Sequence, residues 1–141
     1  MFLDVDVLIM DYIDDFFKHP GSFCIIRDWW WEKQKPGIKK FNSSVMRFEM
    51  GKHTKIWHDF EKDWRNIVQN YPGDQDWITE KVPNATTWPD AWCKSYKWHK
   101  GYEQVLPDTK IMVFHGNPNP DEAIRGFKRY PPAPWIGNVW R

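Results

Sequence analysis

Asp4 and Asp6 stand one residue apart in the opening run Met1-Phe2-Leu3-Asp4-Val5-Asp6-Val7. In an extended backbone side chains repeat their direction every second residue, so both carboxylates would share one face while Val5 and Val7 turn toward a core. At about 4 Å the repulsion between two such charges is roughly 1 kcal/mol in water and roughly 4 kcal/mol at an effective dielectric of 20. A hard divalent cation converts that penalty into binding. The plain alternative is a solvated turn that happens to carry two acids.

Two further polar pairs accompany apolar, strand-like runs: Asn42 with Ser43, and His115 with Gly116. Ligands of open α/β sheets gather at the carboxyl ends of strands, so the three groups are expected on one rim. Two carboxylates and one imidazole suit Mn²⁺ better than an all-oxygen Mg²⁺ cage, with Mg²⁺ and Zn²⁺ as further options. For His115 the competing role is a hydrogen-bonded structural histidine. Gly116 either lets the backbone approach a ligand or simply makes the turn.

The elements that must position these groups alternate along the chain. Tyr12, Ile13, Phe16 and Phe17 fall at helical spacing and stop at Pro20-Gly21; Phe23 to Trp29 reads as a strand. Lys33 to Lys40 reads as an exposed loop, and Phe41 to Met50 as a strand interrupted by a polar turn at Asn42-Ser43-Ser44. Between His53 and Tyr71 an apolar stripe of Ile56, Trp57, Phe60, Trp64, Ile67, Val68 and Tyr71 marks a helix that Pro72-Gly73 ends. Asp74 is placed to cap a short helical stretch, Trp77 to Glu80. Trp92 to Lys100 and Lys110 to Phe114 read as strands, Asp121 to Phe127 as a short helix, and residues 128–141 as an extended, proline-rich tail. Strands and helices in mixed order predict a single α/β domain over residues 1–141.

The formal charge of +1 and the dispersed Lys and Arg residues disfavour a nucleic-acid partner. No apolar stretch reaches the length of a membrane span. Cys24 and Cys93 lack metal-type spacing and sit among apolar neighbours, as free buried thiols do. A soluble, cytoplasmic chain is expected. Eleven tryptophans exceed what a core of this size needs, and flat amphipathic rings suit sugar faces as well as interfaces and packing.

Taken in order, four segments resemble the D-x-D nucleotide-sugar glycosyltransferases, specifically the retaining family that includes glycogenin and bacterial lipooligosaccharide galactosyltransferases. Phe2-Leu3-Asp4-Val5-Asp6-Val7 is similar to that family's metal-binding strand, and Phe41-Asn42-Ser43-Ser44-Val45-Met46 to its sugar-contacting F-N-S-G-V segment. Asp74-Gln75-Asp76 matches its D-Q-D, and Val113-Phe114-His115-Gly116-Asn117-Pro118 its late histidine-glycine segment. The resemblance implies a partial GT-A-like fold, a mixed sheet flanked by helices. It further implies Mn²⁺ held by Asp4, Asp6 and His115 against the diphosphate of a UDP-sugar, with Asn42, Ser43 and Gly116 at the substrate. Asp74 and Gln75 would line the reacting anomeric centre, and the partners would be a nucleotide-sugar donor and a glycan or other acceptor.

The chain departs from the family where Ser44 replaces a usual Gly and where Asn119 replaces a phosphate-pairing Lys, leaving Lys110, Arg125 and Lys128 as stand-ins. The family also carries a nucleotide-binding half before the D-x-D, so the chain corresponds to the C-terminal portion, and its exposed first strand is an edge that a second copy could cover. Two alternatives accompany this reading. A D-x-D at an N-terminus also opens the haloacid-dehalogenase-like Mg²⁺-dependent phosphatases, with Asp4 as nucleophile and Asp6 as acid/base. The second alternative is a non-catalytic glycan-binding or interaction module.

Overall fold

A computed structural model describes residues 1–35 and 40–140 of the chain. These residues divide into two compact units. One comprises residues 1–2 and 19–88, the other residues 3–18 and 89–141.

The first unit is built on a four-stranded sheet of order β1-β4-β3-β5, with β1 at Phe2–Leu3, β3 at Phe23–Arg27, β4 at Phe41–Phe48 and β5 at Thr86–Thr87. Strands β3 and β4 are antiparallel, pairing Phe23 with Phe48 and Arg27 with Phe41, with a register shift between Cys24 and Ile26. Such a bulge bends the strand and raises its twist. β5 runs parallel to β3 through Cys24↔Thr86 and Ile25↔Thr87. The core beneath this sheet is Phe23, Ile25, Phe41, Met46, Ile78 and Ala85, with Ile56 and Val82 packed against it.

Three helices belong to this unit: α2 (Trp29–Gln34), α3 (Lys55–Asn70) and α4 (Asp74–Lys81). Trp29 was expected to end a strand, yet it opens α2. The cause is Asp28, whose carboxylate accepts from the N–H groups of Trp30 and Trp31 at 2.9 and 3.0 Å and so caps the helix. The expected loop at residues 33–40 falls partly on 36–39, outside the described residues. The predicted polar turn at Asn42-Ser43-Ser44 is a correction too: β4 runs through it without interruption, and all three side chains are buried. Polar atoms sit there because they have partners, for example the Asn42 Oδ1 that accepts from the Ser44 N–H at 3.1 Å.

The helix expected over 53–71 forms as α3, with a break at Asp63 (φ −144°, ψ 39°). Of its stripe only Ile67 is buried within the described structure, and Trp57, Trp64 and Val68 are exposed.

The second unit carries a three-stranded sheet of order β2-β7-β6, with β2 at Val7–Ile9, β6 at Cys93–Ser95 and β7 at Ile111–Val113. β7 lies in the middle, antiparallel to β2 through Val7↔Val113 and parallel to β6 through Cys93↔Ile111. Its three residues are fully buried. Helix α1 (Asp14–Lys18) follows β2, and α5 (Pro120–Arg125) follows β7. Leu8, Tyr96, Met112, Phe114, Ala123, Ala133 and Ile136 form the core.

Two expectations are corrected here. The strand over 92–100 is confined to Cys93–Ser95 and then breaks into turns. Within the segment expected to be an extended tail, Pro134–Asn138 makes a 3₁₀ turn, whose Ile136 is buried in the core with the neighbouring Ala133.

Candidate functional site

The D-x-D does not lie in a strand. Asp4, Val5 and Asp6 make the turn between β1 and β2, and Val5, expected in a core, is 92% exposed. The turn is tied to β7 by the Phe114 N–H, which donates to the Asp6 carbonyl at 3.0 Å. That bond brings the backbone of Asp6 beside the start of the His115-Gly116 segment. The Asp6 carboxyl is raised above its ordinary range, first by burial and next by the neighbouring Asp4 charge.

His115, by contrast, is committed elsewhere. Its Nε2 lies 2.6 Å from the Ser95 hydroxyl at the end of β6, and the same oxygen accepts from the Trp98 N–H at 3.1 Å. Either hydrogen-bonding role occupies Nε2. Among the described residues no group of three or more His, Cys, Asp and Glu side chains is gathered to hold a metal ion. Asp4, Asp6 and His115 as placed therefore do not fit the donor set of Mn²⁺, which asks for convergent ligands.

The cation at this place is Lys97, which no sequence motif signals. Its ammonium donates to the carbonyl of His115 and, at 3.2 Å, to that of Asn117. It lies against Gly116, whose φ of +65° shapes the turn, such that a Cβ on Gly116 would meet Nζ at 3.7 Å. Burial lowers the Lys97 pKa, while Tyr130 and Asp6 work to raise it and Arg129 to lower it further.

The three stand-ins for the family's phosphate lysine are placed differently. Lys110 is bound to Asp15 at 3.1 Å and to the Tyr12 carbonyl at 3.2 Å. Arg125 ends α5, and Lys128 lies over the Phe127 ring. Asn119 is the N-cap of α5, and its backbone N–H donates to the Glu122 carboxylate at 2.9 Å.

In the other unit a second set of predicted residues comes together. Ser43 Oγ donates to Asp74 Oδ1 at 3.1 Å, linking the F-N-S segment to the D-Q-D. Two more ties fasten α4 to the start of β4: the Phe41 N–H donates to Thr79 Oγ1 at 3.3 Å, and Lys40 pairs with Asp76 at 2.6 Å. Lys40 also lies 4.4 Å from the centroid of the Trp31 ring, a cation–π contact that fixes its direction. Asp74 was expected to be the N-cap of its helix. The cap position is Gly73 instead, and Asp74 is the first helical residue, with its carboxylate exposed and accepting from the Gln75 N–H at 2.8 Å. Gln75 is half-buried beside it. Lys40 and Thr79 escape sequence reasoning because neither stands in a recognisable spacing.

Of the tryptophans, Trp77 and Trp88 are buried, and their indole N–H groups donate to the carbonyls of Ile56 and Val45, both at 3.0 Å. These two serve packing. Trp30, Trp57, Trp64, Trp98 and Trp140 remain exposed.

Mixed sheets flanked by helices, with the predicted motifs at strand and helix ends, define a GT-A-like α/β fold. The crystal structure of the galactosyltransferase LgtC, solved in complex with donor and acceptor sugar analogs, matches 99% of this chain with a TM-score of 0.64 and 17% sequence identity. The match covers 60% of that protein, so the chain spans less than two thirds of its length. No protein-family model and no curated protein matches the sequence. No helix among the described residues is long and apolar enough to cross a membrane.

Proposed function

We propose that the chain serves sugar transfer from a nucleotide-sugar donor of the UDP type to an acceptor hydroxyl. The observation that carries this reading is the Ser43–Asp74 hydrogen bond. It joins, across thirty-one positions of sequence, two segments that the family resemblance independently assigns to the transferred sugar. The GT-A-like fold supports it.

The chemistry follows from the side chains. In transfer the bond from the anomeric carbon to the leaving phosphate oxygen breaks, a bond to the acceptor oxygen forms, and the acceptor gives up its proton. Positive charge develops at the anomeric carbon meanwhile, and a pre-oriented carboxylate stabilises it. Asp74 is exposed enough to meet a sugar and is held in direction by Ser43 and by its own Gln75 N–H. Asn42, whose carbonyl is engaged by Ser44, would present its amide NH₂ to a sugar hydroxyl. No step is assigned to a metal, because the described ligands do not converge.

The test is release of free sugar from a set of UDP-hexoses, followed by NMR, with water as the default acceptor. Asp74→Asn is expected to lower turnover about 100-fold, as loss of one charge-stabilising group does, while UDP affinity holds within about threefold. Failure of the native chain both to bind UDP and to release sugar would sink the reading. Glycan binding without turnover would restore the interaction-module alternative.

A further inference from the structure

Helix α3 leaves much of its apolar stripe uncovered. Trp57, Trp64 and Val68 are 60%, 49% and 53% exposed, and beside them Phe48, which ends β4, and Met50 are 42% and 88% exposed. We propose that this face is the contact between two copies of the chain, paired antiparallel along α3. The inference is independent of the sugar-transfer reading.

Area is the first support. A full aromatic side chain carries about 150–250 Å², so the exposed parts of Phe48, Trp57 and Trp64 come to roughly 300 Å², and Met50 and Val68 bring the apolar face to roughly 500 Å². A standard interface buries about 800 Å² on each partner and is about 60% apolar, which is again about 500 Å². One copy thus supplies what one side of a stable dimer needs.

Shape is the second. Two hollows flank Trp57: one of about 320 Å³, lined by Trp57 with Phe48 and Met50, and one of about 290 Å³, lined by Trp57 with Phe60, Val68 and Tyr71. An exposed ring beside two hollows is self-complementary under a twofold axis, where the same patch serves both sides. Gly73 and Asp74 also line the second hollow, so pairing brings the second copy up to the edge of the candidate sugar site.

Charge is the third, and it fixes the register. Glu61 and Arg65 are exposed and stand four residues apart, a spacing that pairs such groups within an unbroken helix. The break at Asp63 lies between them, and among the described residues they form no such pair. With a twofold axis between Lys62 and Asp63, residues equally far from the axis meet. Trp57 then faces the second copy's Val68, and Glu61 lies beside the second copy's Trp64 and Arg65. The Arg65 guanidinium is 5.3 Å from the centroid of the Trp64 ring, which holds it at this face. The ion pair between Glu61 and the second copy's Arg65 occurs twice, once on each side of the axis.

Sedimentation velocity of the full chain over about 1–100 µM reads the association for the native protein, Trp57→Glu, Glu61→Arg, Arg65→Glu and the double charge swap. The native chain should form a species of twice the 17.1 kDa chain mass. Trp57→Glu should stay monomeric and keep its urea midpoint, because the ring is exposed. Either single reversal should raise the dimer Kd about tenfold, since two attractions become two repulsions, and the double swap should return it to within about threefold of native. A monomeric native chain, a dimer unchanged by Trp57→Glu, or a double swap that stays weak would each overturn the inference. So would native monomers that attach to phosphatidylglycerol vesicles through Trp57, which would give the face to a membrane. The charge-swap arm stands whether or not Trp57→Glu folds, and no arm depends on turnover of UDP-hexoses.

Discussion

Tyr96 shows how closely the second unit's core is filled and where it is least satisfied. Its ring stacks on Phe114 with centroids 4.5 Å apart and the planes 20° or less from parallel, at 19°. Its hydroxyl is buried and finds no hydrogen-bond partner among the described residues. Burial, aided by Tyr102 and Tyr130, pushes its pKa up to about 12. A buried hydroxyl without a partner carries a desolvation cost that phenylalanine avoids. Tyr96→Phe should therefore keep the ring contact and leave unfolding free energy unchanged or raise it by about 1 kcal/mol. A urea unfolding curve decides; a clear loss would reveal a partner for the hydroxyl.

At this scale the sequence carried the motif residues but not their environment. Ser43 and Asp74 could be named from spacing and resemblance, and the fold brings them within hydrogen-bonding distance. His115 could be named as well, while its engagement with Ser95 depends on the parallel pairing of β6 and β7, which no local pattern encodes. Lys97 was silent because a docked ammonium is recognisable only by the carbonyls around it.

Elements were legible where periodicity or a breaker spoke plainly. The stripe of α3 and its stop before Pro72-Gly73 are both present, as is the buried run of β7. Polar composition misled at β4, where Asn42, Ser43 and Ser44 look like a turn and are strand because α4 and the backbone satisfy them. Asp28 misled in the opposite way, since a lone acid before three tryptophans is a weak signal that nevertheless starts α2.

The turn into β3 offers a test at the same scale. Gly21 has φ of +115°, and an added Cβ would come within 2.9 Å of the Thr86 Cβ and 3.1 Å of the Cys24 sulfur. Its carbonyl and that of His19 both accept from Arg47 at 2.7 Å, so the turn cannot shift without breaking a two-point anchor. Gly21→Ala should cost about 2 kcal/mol or more, from backbone strain and the collision together. Denaturant midpoints measure it, and a native-like midpoint would show that the turn yields.

Across the whole molecule, His99 sets a pH dependence of stability. Its Nδ1 accepts from the Ser95 N–H at 3.0 Å, and burial, with help from Lys94, lowers its pKa below 6.5. The unfolded chain then takes up a proton near pH 6.5 while the folded chain does not, so the unfolded state binds more protons in that window and stability rises with pH. The contribution is complete above 6.5 and is lost as pH falls from there toward the folded value. Urea midpoints of the native chain should drop between pH 7 and 5, and those of His99→Gln should drop less. Identical slopes would remove His99 as the source.

The second unit is assembled from two distant stretches, residues 3–18 and 89–141, and β2 must pair with a strand roughly a hundred residues downstream. Residues 19–88, by contrast, hold the β3–β4 hairpin, its helices and β5 in one continuous run. During synthesis that run is complete while β7 is still unmade, so the D-x-D turn, although made before it, acquires its β7 neighbours later. The D-x-D turn thus matures late, and a chain cut short before residue 111 would lack both β7 and the Phe114 N–H that ties down the Asp6 carbonyl.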